Sequence, residues 1–426
     1  MTEAAAEPPL VAPGVSTTGA EAPYLRVSLA IASGTFLASF AMNFWWPFLP
    51  LYLRELGATS DAQALFWVGL ATAIQGVARL ITGPFWGVLS DRYGRKLMLI
   101  RALFAASVTT VIAAAAHAPW VILVSLTMQG LFSGFIPAAI ALTSVTVPDS
   151  RMDRALGVVT AGQYLGSTLG PAVGAVLAVV LGFRGAIVAS SILPALAAGW
   201  IIFAVPRDRI APARIINAAA AVRPRFHIST EWARGFSRTF WVAVLLYFGL
   251  FALNQFIRVA TPIALKEVAG EDQAATLSGI AFTLAGAGSV AGVLVVGRVL
   301  GLWTGLRGTL VSMTVLSAAV TPLMAFGQNE WTFIAGLLVV AVANGAAMPA
   351  TNALIASTVE HARRGTAFGL ASSAQAIAFM VGPMSAALFA ATSLALGFML
   401  CAVLFAALAV VVLVFGRPQN TAGAER

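Results

Sequence analysis

The stretch Gly87-Val88-Leu89-Ser90-Asp91-Arg92-Tyr93-Gly94-Arg95-Lys96 packs one carboxylate and three basic side chains into a turn with apolar sequence on both sides. Around it the 426-residue chain is 59% hydrophobic and 10% charged, with a mean hydropathy of +0.90. Soluble domains carry about 25% charged residues. The bilayer is therefore this chain's main solvent, and the charged stretch reads as a tight polar turn between two spanning helices.

A spanning helix needs roughly 20 apolar residues. Working outward from the turn, twelve such runs are found: 26–50, 64–89, 98–116, 119–145, 155–181, 186–205, 240–264, 276–297, 309–326, 332–356, 366–391 and 396–416. Membrane barrels show alternating segments of about ten residues, whereas these runs are continuous and rich in Ala, Leu and Gly. The fold class is all-α integral membrane.

Cytoplasmic loops carry the excess of Lys and Arg. With the N-terminus inside, the cytoplasmic loops and tails hold 20 of the 25 basic residues, the outer loops hold Arg54, Arg184 and Lys266, and Arg79 and Arg258 lie within spans. Both termini are expected in the cytoplasm. The pI near 10.7 then reflects topology and attraction to anionic inner-leaflet lipids rather than nucleic acid. Residues 1–25 lack a basic start and cleavage site and read as a disordered cytoplasmic tail. The single cysteine, Cys401, excludes an intramolecular disulfide and argues against a metal cluster.

A shift of 212 residues places Pro137 on Pro349, Arg151 on Arg363, Gly157 on Gly369, Gln163 on Gln375, Gly170-Pro171 on Gly382-Pro383, Pro50 on Pro262 and Gly76 on Gly288. The chain is two related six-helix halves, 26–205 and 240–416, joined by a basic linker over 206–239, with a tail at 417–426. Parallel repeats of this kind hold substrate near the midplane between rocking halves.

With these residues in view, the chain is identified as resembling the major facilitator superfamily over its length after residue 25. Gly87 to Lys96 matches the family's signature for the loop between its second and third spans at each specified position. Gly157, Gly166, Gly170, Pro171 and Gly174 resemble the antiporter motif of the drug-exporting branches, with Ala175 in place of its last glycine. Trp46-Pro47-Phe48-Leu49-Pro50-Leu51-Tyr52 and Pro84-Phe85-Trp86-Gly87 are similar to MdtG-like multidrug exporters. The resemblance implies efflux by proton antiport, and a contact between Asp91 and the start of the eleventh span, near Gly365 and Thr366, that latches the halves on the cytoplasmic side.

The residues supply physical reasons of their own. Gly87 and Gly94 permit a tight turn and close helix approach, and a carboxylate at a helix N-terminus is favoured by about 0.3–1 kcal/mol. Arg92, Arg95 and Lys96 serve either as topology-setting charges or as partners across the gate, with Asp149 and Asp153 the carboxylates near in sequence. The equivalent loop of the second half, Arg298 to Gly308, has no acid, so the latch is expected in one half only.

Ionisable groups inside a membrane are costly and are functional candidates by default. The inventory at this stage is Arg79 and Arg258, because all sixteen carboxylates fall in loops, tails or helix ends. Arg79 lies twelve residues before Asp91, roughly 18 Å along a helix, with Gln75 one turn away. Asn254 and Gln255 flank Arg258. The arginines make the expected cavity electropositive, and Asn43, Trp46, Gln129, Phe132, Gln163, Tyr164, Tyr247, Phe251, Asn344, Asn352, Gln375 and Phe379 are further candidates for its wall. Many drug/proton antiporters carry an acid in the first or fourth span; here Asn43 stands in the first, and Leu126 replaces the fourth-span Arg.

His117, His227 and His361 fall in loops or at helix ends, so neither a metal site nor a nucleophile with its base assembles at membrane depth. No cofactor is expected and an enzyme is disfavoured. Two readings stay open: proton-driven efflux of varied amphiphiles, or export or flipping of one anionic amphiphile not coupled through an intramembrane carboxylate. The expected partners are the lipid bilayer, a small amphiphilic or anionic substrate and protons, with the chain a monomer in the inner membrane.

Overall fold

In hydrocarbon an unpaired backbone N–H or C=O costs several kcal/mol, so a spanning segment must satisfy its backbone internally. The apolar runs accordingly form helices. The computed structural model describes residues 18–132, 134–147, 151–206, 236–327, 329–359 and 364–415. In the N-terminal half these are α1 (Thr18–Trp45), a 3-10 turn at Trp46–Phe48, α2 (Leu49–Glu55), α3 (Asp61–Tyr93), α4 (Arg95–Ala114), α5 (Pro119–Phe132), α6 (Phe135–Thr146) and α7 (Met152–Ala204). The C-terminal half follows as α8 (Arg238–Ala269), α9 (Glu271–Ala291), a π turn at Gly292–Val296, α10 (Gly297–Phe326), α11 (Glu330–Ser357), α12 (Arg364–Ala390) and α13 (Leu394–Phe415).

Among the described residues eleven segments are long and apolar enough to cross a membrane, and α7 accounts for two spans. Its 53 residues would extend roughly 80 Å, far beyond a hydrocarbon core of about 30 Å. It reverses at Gly182, whose φ of 71° and ψ of 169° suit only a residue without Cβ. This is the break expected between residues 181 and 186. Likewise α10 turns at Gly305, with φ 65°, so the eighth span runs on from Glu271 through the π turn to that point.

Several boundaries differ from the sequence reading. The first helix begins at Thr18, not at residue 26, because hydropathy marks only the part of a helix inside hydrocarbon, while helical hydrogen bonding continues into the headgroup region; residues 1–17 of the expected tail lie outside the described residues. Of the linker, 207–235 lie outside them too, while Ser237 caps α8 by accepting from the N–H of Phe240 at 3.2 Å and Arg238 begins that helix, stacked 4.1 Å over the ring of Phe415. The tail at 417–426 is also outside the described residues.

The repeat is visible in the packing. A Cβ on Gly170 would meet the carbonyl oxygen of Phe40 at 2.6 Å and the Cβ of Asn43 at 2.7 Å. On Gly382 it would meet the Cβ of Gln255 at 2.6 Å and the carbonyl oxygen of Ala252 at 2.8 Å. Each of these residues is its counterpart's position shifted by 212. In each half, then, a glycine of the fifth span sits on the backbone of the first, and small residues are what allow helices to approach so closely in lipid. Along α7 the pattern continues, with Gly162, Gly166, Gly170 and Gly174 lying on Ala32, Phe36, Phe40 and Phe44 in one constant register.

Each half is also tied by a basic residue at the start of its third span. Lys96 Nζ donates to the carbonyls of Ile202 at 2.7 Å and Val205 at 2.5 Å, at the end of the sixth span. Arg307 donates to the carbonyls of Val412 at 3.3 Å and of Leu413, at the end of the twelfth. A cation on the last carbonyls of a helix is favourable through both hydrogen bonds and the helix dipole. In the first half, Ser107 donating to the carbonyl of Ser191 at 2.6 Å and Arg184 to that of Ala116 at 2.6 Å complete the seam between those spans.

Gly170→Leu is expected to lower stability by at least about 1–3 kcal/mol through overpacking against α1. Gly157→Ala, where an added Cβ meets nothing within 4 Å, is expected to leave it unchanged or raise it. Thermal unfolding of the purified variants in detergent compares the two.

Candidate functional site

The halves meet along a seam whose two ends are set by their turns, one at Asp61 and one at Asp91. At the Asp61 end the seam is closed. Phe48, Ala175 and Phe282 are buried together, Phe48 standing edge-on to Phe282 at 6.0 Å between ring centroids. Ala175 of α7 touches Gly279 of α9, and Gly69 of α3 lies against the side chain of Met384 of α12.

An ionic cluster lies over this apolar plug. Arg54 pairs with Asp61 at 3.0 Å, Lys266 with Glu271 at 3.0 Å, and Lys266 with Asp61 at 3.4 Å. Arg54 and Lys266 are 212 residues apart and so are repeat counterparts, whereas their acids fall two positions out of register, and the third bond joins the halves. The sequence reading used Arg54 and Lys266 only to count topology and did not single out Asp61. The repeat shift carried the signal, since it superposes two basic residues each followed within seven positions by an acid.

Toward the midplane the seam turns polar. Arg258 donates to Asn43 Oδ1, joining α8 to α1, while Asn43 Nδ2 donates to the carbonyl of Ser39 at 2.7 Å. The position where antiporters of the resembled branch carry an acid thus holds a neutral acceptor for a cation of the other half. Arg258, Asn254 and Asn344 line a cavity of about 130 Å³ between α7, α8, α9 and α11. Asn344 is only 5% exposed, and both its amide atoms lack a partner. An unsatisfied buried amide is costly, so the cavity presents ready donors and an acceptor. Among the described residues no carboxylate pairs with Arg258.

On the other side of the seam, Gln75 Nε2 donates to Gln129 Oε1 at 2.6 Å, and a Cβ on Gly130 would strike the carbonyl of Gln75. These two amides satisfy each other. Arg79, one turn beyond Gln75, is exposed. It has no ion-pair partner among the described residues. Tyr247, Phe251 and Phe379 form an aromatic cluster between α8 and α12, with centroids 4.8 and 6.2 Å apart. Trp46 stands edge-on to Trp45, Gln255 is buried with its Nε2 unpaired, and Gln163, Asn352 and Gln375 are half-buried. Phe132 lies beside Trp86. The side chain of Tyr164 lies outside the described residues.

At the Asp91 end, Gly94 separates α3 from α4 at φ 99°, a conformation other residues rarely adopt. Arg95 reaches the carbonyl of Ala141 and Ser144 Oγ at 3.4 Å, and Lys96 caps the sixth span, so these two basic residues bind within their own half. Arg92 lies 5.4 Å from the ring of Tyr93. The side chains of Asp91, Asp153 and Thr366 lie outside the described residues, as does Asp149, and with them the latch expected there. Gly87 meets nothing within 4 Å, nor does Gly157 in α7, whereas Gly166 and Gly174, either side of Pro171, pack on α1.

One intramembrane cation escaped the sequence inventory. Arg101 of α4 lies 3.4 Å over the ring of Trp86, and its Nε and Nη1 are buried without an acceptor. Trp86 in turn donates to the carbonyl of Leu131 at 2.7 Å. Arg101 sits under two turns into its helix, close enough to the charged turn to be counted with it.

Comparison with known proteins places this architecture. A family model described as Major Facilitator Superfamily matches residues 31–305 and again 252–426. The chain is similar to multidrug resistance protein MdtG of Enterobacter lignolyticus, 31% identical with 82% of each chain covered. MdtG of Serratia proteamaculans is 30% identical, with 84% of this chain and 86% of that protein covered. In structure it is similar to the human organic anion transporter MFSD10 (TM-score 0.65, 18% identity, 92% and 99% covered). A point mutant of the nucleoside transporter NupG gives a TM-score of 0.69 at 12% identity, with 92% and 100% covered.

Partly exposed ion pairs contribute up to about 1 kcal/mol. Asp61→Asn is accordingly expected to shift the balance of states toward opening at the Asp61 end by up to about fivefold. Labelling of a cysteine introduced at Phe282 by a membrane-impermeant maleimide should rise in that variant, and an unchanged labelling rate would remove the latch.

Proposed function

This chain belongs to the major facilitator superfamily, as a multi-pass secondary membrane transporter and not an enzyme, and we propose that it exports hydrophobic and amphiphilic compounds by alternating access. The observation that carries this reading is the seam, which is shut at the Asp61 end by an apolar plug under an ionic cluster. The positive-inside count puts the Asp91 end and both termini in the cytoplasm, which makes this conformation the one that loads from inside. The relatives named as multidrug resistance proteins support outward transport of varied compounds.

The mechanism follows from two sets of contacts competing for the same halves. Substrate enters between the halves from the Asp91 end and meets Arg79 and the amides and aromatics of α3, α8 and α12. Rocking then separates Ala175 from Gly279 and Lys266 from Asp61 and opens the outer end. Asp91, at the start of the turn before α4, supports the cytoplasmic closure that must replace those contacts. Proton antiport, which the family resemblance implies, would run through carboxylates at the span ends; Asp61 is suited to it because protonation removes the charge that holds Lys266 across the seam.

A second reading is favoured by the cations. Arg79 and Arg258 present positive charge in the seam with no carboxylate partner among the described residues, so substrates bearing an anionic group are favoured over cations. Hydrogen bonds to a charged group contribute about 1.5–3 kcal/mol. Arg79→Gln is therefore expected to lower the flux of an anionic amphiphile about tenfold or more in proteoliposomes with an imposed pH gradient, and to spare a cationic dye. Equal effects on both would discard the electrostatic selection, and absence of gradient-driven flux of either probe in the wild type would discard proton-coupled export.

A further inference from the structure

Beyond the central cavity, the seam between α7 and α9 carries a second hollow of about 360 Å³, lined by small and aliphatic side chains. Val176, Val179 and Val180 on one wall and Ile280 and Leu284 on the other are exposed although they belong to spanning helices, so this groove faces the acyl chains of the bilayer. It adjoins the polar cavity residue by residue: Pro171 lines the cavity and Ala172 the groove, Phe282 the cavity and Thr283 the groove. One helix pair therefore presents, in succession, an apolar trough open to lipid and a pocket holding Arg258 with the unpartnered, buried Asn344.

We infer that this composite is a binding site for a single-chain anionic amphiphile, a fatty acid or an alkyl phosphate monoester, with its headgroup at Arg258 and Asn344 and its chain in the groove. Charge complementarity selects the head. Arg258 has a neutral amide oxygen as its partner and no carboxylate among the described residues, and Asn344 offers an N–H that nothing accepts. An anion supplies what both lack, and a planar guanidinium fits carboxylate and phosphate oxygens in the same fork geometry. The surroundings select the tail. In lipid an acyl chain gains nothing by leaving its neighbours for another apolar surface, so the groove serves to guide the chain while the charged head supplies the affinity. The amphiphile can then enter sideways from the bilayer without its chain crossing water. The site rests on the export reading above and specifies a substrate class for it.

Photo-crosslinking in nanodiscs tests this, using a twelve-carbon fatty acid with a diazirine near its tail and a trimethylammonium probe of the same length. The fatty-acid probe is expected to label α7 over residues 172–180 and α9 over residues 276–284. Arg258→Gln should reduce that labelling at least tenfold, Arg258→Lys should restore most of it, and Ile280→Trp, on a lipid-exposed position that leaves folding intact, should displace the label from the groove. Competition by unlabelled dodecanoate against dodecyl phosphate identifies the preferred head, and either one competing supports the site. Labelling spread evenly over the lipid-facing surface, or equal labelling by the cationic probe, overturns it. Flux of a neutral drug in proteoliposomes, measured on the same preparation, separates the two proposals. Flux retained with unspecific labelling removes this site alone, whereas specific labelling without flux removes the export reading and leaves the site.

Discussion

The close approach of α7 to α1 is the constraint on which the rest of the structure depends. Four glycines at intervals of four present backbone instead of side chains, and the carbonyls of the first span lie where Cβ atoms would otherwise be. Lipid provides no hydrophobic drive for helices to associate, so shape and van der Waals contact must do so. Because α7 is thereby fixed on one side to its own half, its other side is free to serve as the contact surface for α9 of the opposite half. The same helix holds the N-terminal half together and forms its boundary with the other half.

The bonding within each half differs from the bonding between the halves, a difference that the proposed alternating access needs. Within each half, buried side chains cap helix ends and serine and arginine donors reach neighbouring carbonyls, as at Lys96, Ser107, Arg184 and Arg307. Across the seam the contacts are of a different kind: small residues touching at Ala175 and Gly279, a few aromatic edges, the Arg258–Asn43 hydrogen bond, and an ionic cluster at the water boundary. Exposed ion pairs are weak and small-residue contacts separate without leaving unsatisfied polar groups. The proposed rocking of the halves as bodies relies on this asymmetry in bond strength more than on any single hinge.

Charge is used sparingly at membrane depth, and each cation there meets a different fate. Arg101 is covered by Trp86, Arg258 is bound by an amide of the other half, and Arg79 is exposed without an ion-pair partner among the described residues. The Asn43 to Arg258 bond shows how an acid can be absent without leaving the cation unsatisfied: an amide oxygen accepts the hydrogen bond but does not neutralise the charge. A net positive field remains in the seam, available to an anion.

Composition, hydropathy and the 212-residue repeat determined the all-helical membrane fold, its two halves and the turns at Gly94 and Gly182, because backbone satisfaction in hydrocarbon admits few alternatives and span length is fixed by bilayer thickness. The family was legible in Gly87 to Lys96 and in the glycines of the fifth span. Tertiary structure alone decided which polar residues meet. Asn43 and Arg258 are 215 residues apart, and nothing in either local sequence tells that one faces the other. Neither Asp61 nor Arg101 stands out in the sequence; Lys266 beside the one and Trp86 against the other are tertiary contacts. Hydropathy reports the environment a residue is transferred into, averaged over a helix turn, whereas a partner across a seam depends on helix rotation and register, which packing sets only once all the spans are assembled.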